Sequence, residues 1–322
     1  MSGSMKLLAA PASLKGVLSP LEAAALLAAG MRRVEGVEVI EAPVADGGEG
    51  TASVIHAAVG GEWRTAVVDD PLGHTIAARW LLLDDGTAVV EAAEAIGLPL
   101  VPEADRDPLR ATSRGLGELL LAVLTARPTS VLVGIGGTAT VDGGVGMRSV
   151  LGSWLQDVPI RVACDVRNPL LGERGAARVF GPQKGADADE VEELELRLVA
   201  LDELAPYRDL RGAGAGGGLG AAFAAMGANL VDGAELVLDL IEFDARAQGA
   251  SLVITGEGTV DATTFEGKAP GAVLRRCEAL GVPCELFGGI VREGFSAHAL
   301  SGRRALAGED LVQLGEELAL AL

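Results

Sequence analysis

The few lysines of this chain stand at positions suited to phosphate chemistry. Of 26 basic residues in 322, only four are lysine, and three of them, Lys15, Lys184 and Lys268, are next to a glycine. A flexible ammonium group beside a small residue can make a point-charge contact with a phosphate. Glycine is abundant enough, at 45 residues, for such neighbours to arise by chance as well. We interpret at least two of the three lysines as phosphate contacts in polar loops that add little to the core.

A glycine-rich segment follows one of the apolar runs. It reads Gly134-Ile-Gly136-Gly137-Thr138-Ala139, and its backbone N–H groups could form an anion-binding nest. The same letters satisfy a loose dinucleotide-binding fingerprint, but its usual acidic partner could only be Asp157, which follows no clear strand. The Walker sequence GxxxxGK[ST] is absent, because Ala262 replaces its first glycine ahead of Lys268. The sequence therefore predicts a phosphate site that is not a standard P-loop.

Carboxylates occur in three glycine-rich loops. Asp46 and Glu49 lie in the first, Asp142 lies in the second, and Glu257 with Asp261 lies in the third. Carboxylates at strand ends that face phosphate-binding loops are what magnesium and a hydroxyl-activating base require. Asp-Gly is also the commonest turn signal, so any one loop alone could be an ordinary turn. The three together favour a functional site.

The composition excludes several classes of protein. The formal net charge is −19 and no basic stripe is present, which argues against nucleic-acid binding. The apolar run near the amino terminus is too brief for a signal peptide, and the uncharged stretch 212–231 is too rich in glycine for a membrane span. We interpret that stretch as a loop leading into a buried helix. The three cysteines lack zinc-ligand spacing, so we expect a reduced, cytoplasmic protein, and a homodimer is left open.

The elements that must position these loops follow a βα rhythm with one interruption. Predicted strands cover 6–10, 37–43, 130–135, 160–164, 236–240, 251–255 and 283–287, and predicted helices cover 20–33, 51–59, 113–125, 188–204, 219–226 and 270–280. Three further strands, at 63–68, 76–83 and 87–91, are separated by strong turn sequences and form an antiparallel meander. The pattern predicts an α/β fold of two domains, one inserted into the other. The limits are placed at 1–55 with 246–322, and at 56–245.

Two of the glycine-rich segments are expected to act together. Residues 134–138 and 256–258 each follow an apolar run, so we place them on neighbouring strands at the same edge of one sheet, facing Lys15 across a cleft. A Cβ added at Gly136 or Gly256 would then block the approach of a triphosphate or strain a backbone that needs positive φ. For Gly136→Val we expect a raised KM for ATP with the fold kept.

Seven blocks of unusual composition are spread over nearly the whole chain. They are Pro11-Ala-Ser-Leu-Lys15-Gly16, Pro43-Val-Ala-Asp-Gly-Gly-Glu-Gly-Thr51, Ala111-Thr-Ser-Arg-Gly115, Gly134-Ile-Gly-Gly-Thr-Ala-Thr-Val-Asp-Gly-Gly144, Ala163-Cys-Asp-Val166, Gly181-Pro-Gln-Lys-Gly-Ala186 and Ile254-Thr-Gly-Glu-Gly258. In order and in kind they resemble the bacterial type-1 glycerate kinase family. The resemblance implies ATP-dependent phosphorylation of D-glycerate, generally at the 2-hydroxyl, with ATP and Mg²⁺. It also implies a Rossmann-like parallel-sheet domain, an inserted α/β domain with the meander, and a site in the cleft between them.

The resemblance assigns roles to individual residues. Catalysis is assigned to Asp46, Lys15 and Lys184; substrate binding to Ser13, Gly47, Gly48, Thr112 and Ser113; nucleotide or phosphate binding to Gly134, Gly136, Gly137, Thr138, Gly256, Gly258 and Lys268. Asp46 would orient the acceptor hydroxyl and take its proton, and the two lysines would hold developing charge. Asp165 or Glu257 would help to hold magnesium.

The chain departs from the family pattern at several positions. Ala12 and Leu14 replace an aspartate and a phenylalanine, Val141 replaces an asparagine, and Thr259 replaces an arginine. The segment between residues 151 and 159 is shorter than in relatives by some tens of residues. Two other functions therefore stay open: a nicotinamide-dependent dehydrogenase that uses Gly134, Gly136 and Ala139, and a non-catalytic relative that binds a small acid.

Overall fold

A computed structural model describes residues 5–152 and 158–322. The shortened segment after residue 151 and the acidic residue at 157 thus fall outside the described residues. The chain forms two compact units. The first unit contains Met1–Asp46, Ser53–Val59 and Ala234–Leu322, and the second contains Gly47–Ala52 and Gly60–Gly233. These limits differ from the predicted ones at 55 and 245. Residues 47–52 group with the second unit, and residues 56–59 and 234–245 group with the first.

The described elements alternate between strands and helices for most of the chain. The strands are β1 (Met5–Ala9), β2 (Val37–Glu41), β3 (Glu62–Asp69), β4 (Thr75–Leu82), β5 (Thr87–Glu91), β6 (Ser130–Gly134), β7 (Ile160–Cys164), β8 (Asn229–Asp232), β9 (Leu252–Val260), β10 (Cys284–Val291) and β11 (His298–Ala299). The α-helices are α1 (Pro20–Met31), α2 (Thr51–Val59), α3 (Ala93–Ile96), α4 (Arg114–Thr125), α5 (Val145–Leu151), α6 (Ala176–Phe180), α7 (Ala188–Val199), α8 (Ala215–Ala225), α9 (Gly233–Leu240), α10 (Phe243–Ala247), α11 (Ala262–Phe265), α12 (Ala269–Leu280) and α13 (Ala307–Leu320). Short 3₁₀ turns lie at Leu98–Leu100, Glu103–Asp105, Pro182–Lys184, Asp202–Tyr207 and Arg304–Leu306.

The first unit is built on a five-stranded parallel sheet. Its strand order is β11-β10-β9-β1-β2, and every adjacent pair is parallel. Its core includes Leu7, Ile254 and Phe287, each with no exposed area, as expected where helices cover a parallel sheet. Helices α1 and α13 pack so closely at Gly30 that a Cβ there would overlap the carbonyl oxygen of Val312.

The second unit is built on a six-stranded mixed sheet. Its strand order is β3-β4-β5-β6-β7-β8; the first three strands form the antiparallel meander and the rest are parallel. On the meander, the Arg79 guanidinium lies 4.8 Å from the Trp63 ring centroid and that of Arg64 lies 5.4 Å from Trp80. The α/β class, with one parallel sheet and antiparallel strands in a second, is confirmed.

Several element predictions are corrected by the structure. The predicted strand at 236–240 is helix α9, because Ala234, Val237 and Ile241 are buried at helical spacing. Strand β8 was missed and lies where a loop and helix were expected. Helix α7 ends at Val199, five residues early, and a 3₁₀ turn follows. Helix α13 was not predicted. None of the described helices is both long and apolar enough to cross a bilayer.

The expected pairing of residues 134–138 with 256–258 is wrong. Strand β6, which ends at Gly134, pairs with β5 and β7 in the second unit. Strand β9, which contains Gly256, pairs with β1 and β10 in the first unit. The two segments therefore belong to different sheets, because each strand's neighbours are already taken by other strands.

Candidate active site

The first unit gathers predicted site residues after strands β1 and β2 and in the carboxyl-terminal half of the neighbouring strand β9. The segment after β1 runs along β9, because the Ala12 N–H donates to the Gly256 carbonyl oxygen at 2.8 Å. A Cβ at Gly258 would lie 3.4 Å from the backbone nitrogen of Lys15. Lys15 is exposed and Ser13 half-buried. The backbones of Lys15 and Gly258 therefore lie side by side in the first unit, whereas a cleft was expected between them.

Residues Gly256 and Gly258 lie within β9 and not in a loop after it. The strand continues to Val260, and Gly256 is in register with Phe287 of β10. A Cβ at Gly256 would overlap the Phe287 ring. A substitution there would consequently disturb the sheet.

Glu257 is the centre of a small charged cluster in the first unit. Thr264 Oγ1 donates to its Oε1 at 2.7 Å, and Lys268 Nζ donates to its Oε2 at 3.1 Å. Burial raises the pKa of the Glu257 carboxyl; Thr264 and Lys268 oppose the shift, and Asp46 adds to it. Asp46 is half-buried. The cluster thus brings Asp46, Glu257 and Lys268 to one region.

Lys184, in the second unit, is buried and donates two hydrogen bonds. Its Nζ donates to Thr138 Oγ1 at 3.1 Å and to the Thr140 carbonyl oxygen at 2.8 Å. Lys184 is only 4% exposed, so the expectation that this lysine contributes little to the buried core is wrong. Burial lowers the pKa of the Lys184 ammonium to about 7, and the Asp142 carboxylate opposes this shift.

Lys184→Met is expected to remove a pH dependence of stability. The unfolded ammonium titrates near 10.5 and the folded one near 7, so the unfolded chain binds more protons between these values and wild-type stability falls as the pH drops from 10.5 towards 7. The free energy of unfolding of the variant should exceed that of wild type by most near pH 7. The difference should change by about 1.4 kcal/mol per pH unit at most. Urea unfolding at several pH values measures the difference, and parallel curves for the two proteins would contradict it.

The Thr112–Ser113 segment is tied to Asp142. The Asp142 carboxylate accepts hydrogen bonds from the Ser113 N–H and Oγ, at 2.9 and 2.7 Å, and from the Gly144 N–H at 3.0 Å. The Ser113 Oγ in turn accepts from the Met147 N–H at 2.9 Å. Ser113 has no exposed area, whereas Thr112 is half-buried. The Ser113 hydroxyl therefore holds the start of α5 and α4 together.

Glycines 134 and 136 make room for another loop of the second unit. A Cβ at Gly134 would overlap the Gly47 carbonyl oxygen, and one at Gly136 would lie 2.8 Å from the Gly48 Cα. Gly47 itself has φ +93° and lies against Ala163, so a side chain is excluded there as well. The expectation that a substitution at Gly136 leaves the fold intact is therefore wrong.

Gly134→Ala is expected to destabilise the protein. The added methyl group has no space against the Gly47 backbone, and overpacking of this kind costs about 1–3 kcal/mol. Gly308→Ala is the matched control, because its Cβ would meet Leu26 Cδ1 at an ordinary 3.4 Å and the residue lies in helix α13. Thermal unfolding should separate the two variants, and equal melting temperatures would contradict the packing argument.

The remaining predicted site residues are less closely grouped. Gly137 has φ +71°, and a Cβ there would lie 3.7 Å from the Ala93 Cβ, which is an ordinary contact distance. Asp165 follows β7, is half-buried, and belongs to the second unit, whereas Glu257 belongs to the first. Across residues 5–152 and 158–322 no group of three His, Cys, Asp or Glu side chains could hold a metal ion.

Glu91 is a buried acid that the sequence interpretation missed. It ends β5 opposite Gly134 of β6 and is 7% exposed. Its carboxylate accepts hydrogen bonds from the N–H groups of Gly50 and Ala52, at 3.0 and 2.6 Å. The sequence feature that could have revealed Glu91 is a charged residue at the end of an otherwise apolar strand.

Comparison with known proteins decides the family. The model of the family described as "Glycerate kinase family" matches residues 7–158 and 149–308. The chain belongs to the glycerate kinase family. It is 41% identical to "Glycerate 2-kinase" of Escherichia coli K12, over 74% of this chain and 73% of that protein. It is 40% identical to "Glycerate kinase" of Bacillus subtilis 168, over 76% and 74%.

A solved structure supports the same assignment. A crystal structure from Salmonella typhimurium LT2 that carries the provisional name glycerate kinase 2 superposes with a TM-score of 0.84 at 36% identity, covering 99% of this chain and 98% of that one. The family predicted from the seven blocks is confirmed, and the chain is a kinase by this membership. The dehydrogenase and the non-catalytic binding protein are not favoured.

Proposed function

We propose that this member of the glycerate kinase family transfers the γ-phosphoryl group of ATP to the 2-hydroxyl of D-glycerate. The observation that carries the proposal is the grouping, within the first unit, of Lys15 after β1 and Asp46 after β2 with Glu257 near the carboxyl end of the neighbouring strand β9. Ligands of open α/β sheets bind outside the carboxyl ends of the strands. The preference for the 2-hydroxyl draws on the relative named glycerate 2-kinase.

Asp46 is proposed as the base. A half-buried carboxylate can orient the acceptor hydroxyl and accept its proton as the bond to phosphorus forms. The exposed Lys15 and the buried Lys184 are assigned to charge that develops on the transferred group. Because the whole chain carries a net charge of −19, these local cations and the backbone N–H groups must overcome a field that repels both ATP and glycerate.

Phosphate and substrate contacts complete the proposed site. Gly136, Gly137 and Thr138 are assigned to nucleotide phosphates because their backbone follows the carboxyl end of β6. Ser13 and Thr112 are assigned to glycerate, since both are half-buried hydroxyl residues in loops. Ser113 contributes through the hydrogen bonds that fix this segment.

The residues present fit a magnesium ion. Magnesium usually takes one or two protein carboxylates and fills its shell with phosphates and water, so a three-carboxylate cluster is not needed. Each Glu257 oxygen accepts one hydrogen bond from the residues described above, which leaves it a free lone pair. Either Glu257 or Asp165 would hold the ion, whose chemistry there is to neutralise charge on the nucleotide phosphates.

An ADP-release assay over a panel of hydroxy acids tests the proposal. D-Glycerate should give the highest kcat/KM. A proton-coupled ³¹P spectrum of the product should show a doublet, because a phosphate on the 2-hydroxyl couples to the single C2 proton. A triplet would move the reaction to the 3-hydroxyl. Absence of ADP release, with NADH bound in preference to ATP in a fluorescence titration, would overturn the proposal in favour of a dehydrogenase.

A further inference from the structure

A buried carboxylate of the sheet, that of Glu91, holds the end of the loop between residues 47 and 52 that leads into helix α2. Glu91 Oε1 accepts from the Ala52 N–H at 2.6 Å, and its Oε2 accepts from the Gly50 N–H at 3.0 Å. Gly50 precedes helix α2 and Ala52 lies in its first turn, where N–H groups have no partner inside the helix. Glu91 thus fixes two separate points of the loop backbone.

The loop also has hydrogen bonds within itself and one from beyond strand β6. Thr51 Oγ1 donates to the Gly48 carbonyl oxygen at 2.8 Å and accepts from the Gly47 N–H at 3.1 Å. The Thr51 bonds shape the loop, and the Gly136 N–H, just beyond β6, donates to the Gly47 carbonyl oxygen at 3.5 Å. The Glu91 carboxylate holds the other end of the loop, at Gly50 and Ala52. Asp46 is the residue that immediately precedes the loop in the chain.

A buried glutamate at this point has a cost that a neutral residue would avoid. Removing a carboxylate from water is unfavourable unless hydrogen bonds compensate for it. What a carboxylate offers here, and an amide does not, is two acceptor oxygens for two N–H donors. The retained charge is therefore explained by the two bonds to the loop.

We propose that Glu91 is a positioning residue for phosphoryl transfer: by holding the backbone at Gly50 and Ala52 it fixes the loop that begins at Asp46. The proposal rests on the proposed function, because Asp46 is the base there. Glu91 acts through the loop backbone and has no contact with the reacting atoms.

Proton binding to Glu91 should weaken this attachment. Burial raises the pKa of the Glu91 carboxyl to about 7, and the carboxylates of Glu94 and Glu49 add to the shift. Arg79, on β4, faces the same carboxylate with the opposite charge. A protonated carboxyl keeps one good acceptor oxygen, so the loop is held by one bond fewer as the pH falls through about 7.

Glu91→Gln tests the proposal, because the amide keeps the shape and one acceptor oxygen. We expect kcat to fall about tenfold to a hundredfold, since a misplacement of about 1 Å can cost about a hundredfold, with KM for ATP and glycerate changing less. Hydrogen–deuterium exchange of the peptide covering residues 46–53 should become faster. The fall in wild-type kcat below about pH 7 should be reduced in the variant.

Glu118→Gln is the matched control. Glu118 Oε2 accepts from the Asp69 N–H at 2.9 Å, so it also holds a backbone group of the second unit, but at β3. This variant should keep kcat and the exchange rate of 46–53. Unchanged kcat in Glu91→Gln, or unchanged exchange of 46–53, would overturn the positioning role. If wild type transfers no phosphoryl group to glycerate, the proposed function fails, and the exchange measurement alone decides whether Glu91 holds the loop.

Discussion

Asp46→Asn is expected to abolish phosphoryl transfer to glycerate and to leave ATP affinity within a few fold of wild type. Asparagine keeps the shape of the side chain but cannot accept the proton of the acceptor hydroxyl. General-base catalysis contributes about 10²–10⁴ in rate, so kcat should fall by a factor in that range. Single-turnover kinetics and an ATP binding titration measure the two quantities separately.

Asp84→Asn is the control for this substitution. Asp84 is an exposed carboxylate in the turn between β4 and β5, so its loss should change neither kcat nor ATP binding. Full activity of Asp46→Asn would refute the assignment as base. A large loss of ATP affinity would instead assign Asp46 to the metal-nucleotide complex.

Lys15→Ala is expected to lower kcat strongly with little change in thermal stability. Loss of one group that stabilises transition-state charge costs about 2.7–4 kcal/mol in the barrier, about a hundredfold to a thousandfold in rate. Lys15 is exposed, so the substitution removes little packing. Steady-state kinetics and a melting curve test the two parts.

Lys6→Ala is the matched control. Lys6 lies near the amino end of β1, whereas Lys15 follows the carboxyl end of that strand. The Lys6 Nζ donates to the Gln248 carbonyl oxygen at 3.0 Å, which is a purely structural contact. We expect wild-type kcat in this variant. Wild-type kinetics in Lys15→Ala as well would remove Lys15 from the site.

Elements with strong local signals were predictable from the sequence. The bounds of α2, β5 and β7 agree with the predicted ranges. The N-terminus of α1 was also predicted correctly, since Ser19 caps it and forms a reciprocal capping box with Glu22. In these cases turn residues and apolar periodicity agree, and tertiary contacts reinforce the local preference.

Helix α9 shows where local pattern misleads. Leu236, Leu238 and Leu240 alternate with other residues, and this favours a strand. In the structure the burial of Ala234, Val237 and Ile241 at helical spacing decides the element. Short apolar runs do not by themselves distinguish a strand from a buried helix, and the packing that settles it is not local.

The candidate site was predictable by residue type but not by environment. The glycine next to Lys184 indicated a polar loop, whereas Lys184 is only 4% exposed and its partners Thr138 and Thr140 are distant in sequence. The same holds for Glu91, whose two N–H partners lie 39 and 41 residues earlier. Burial of a charged side chain follows from tertiary contacts, which spacing and composition do not contain.

The aromatic residues are divided unevenly between the two units. Trp63 and Trp80, with the single tyrosine, Tyr207, lie in the second unit, the third tryptophan, Trp154, is outside the described residues, and the first unit's ranges contain neither tryptophan nor tyrosine. The emission of Trp63 and Trp80 therefore reports the unfolding of the second unit, whereas far-ultraviolet circular dichroism reports the backbone of both. Coincident curves from the two probes would mark a single cooperative transition, and separated curves would resolve the stability of each unit without any labelling.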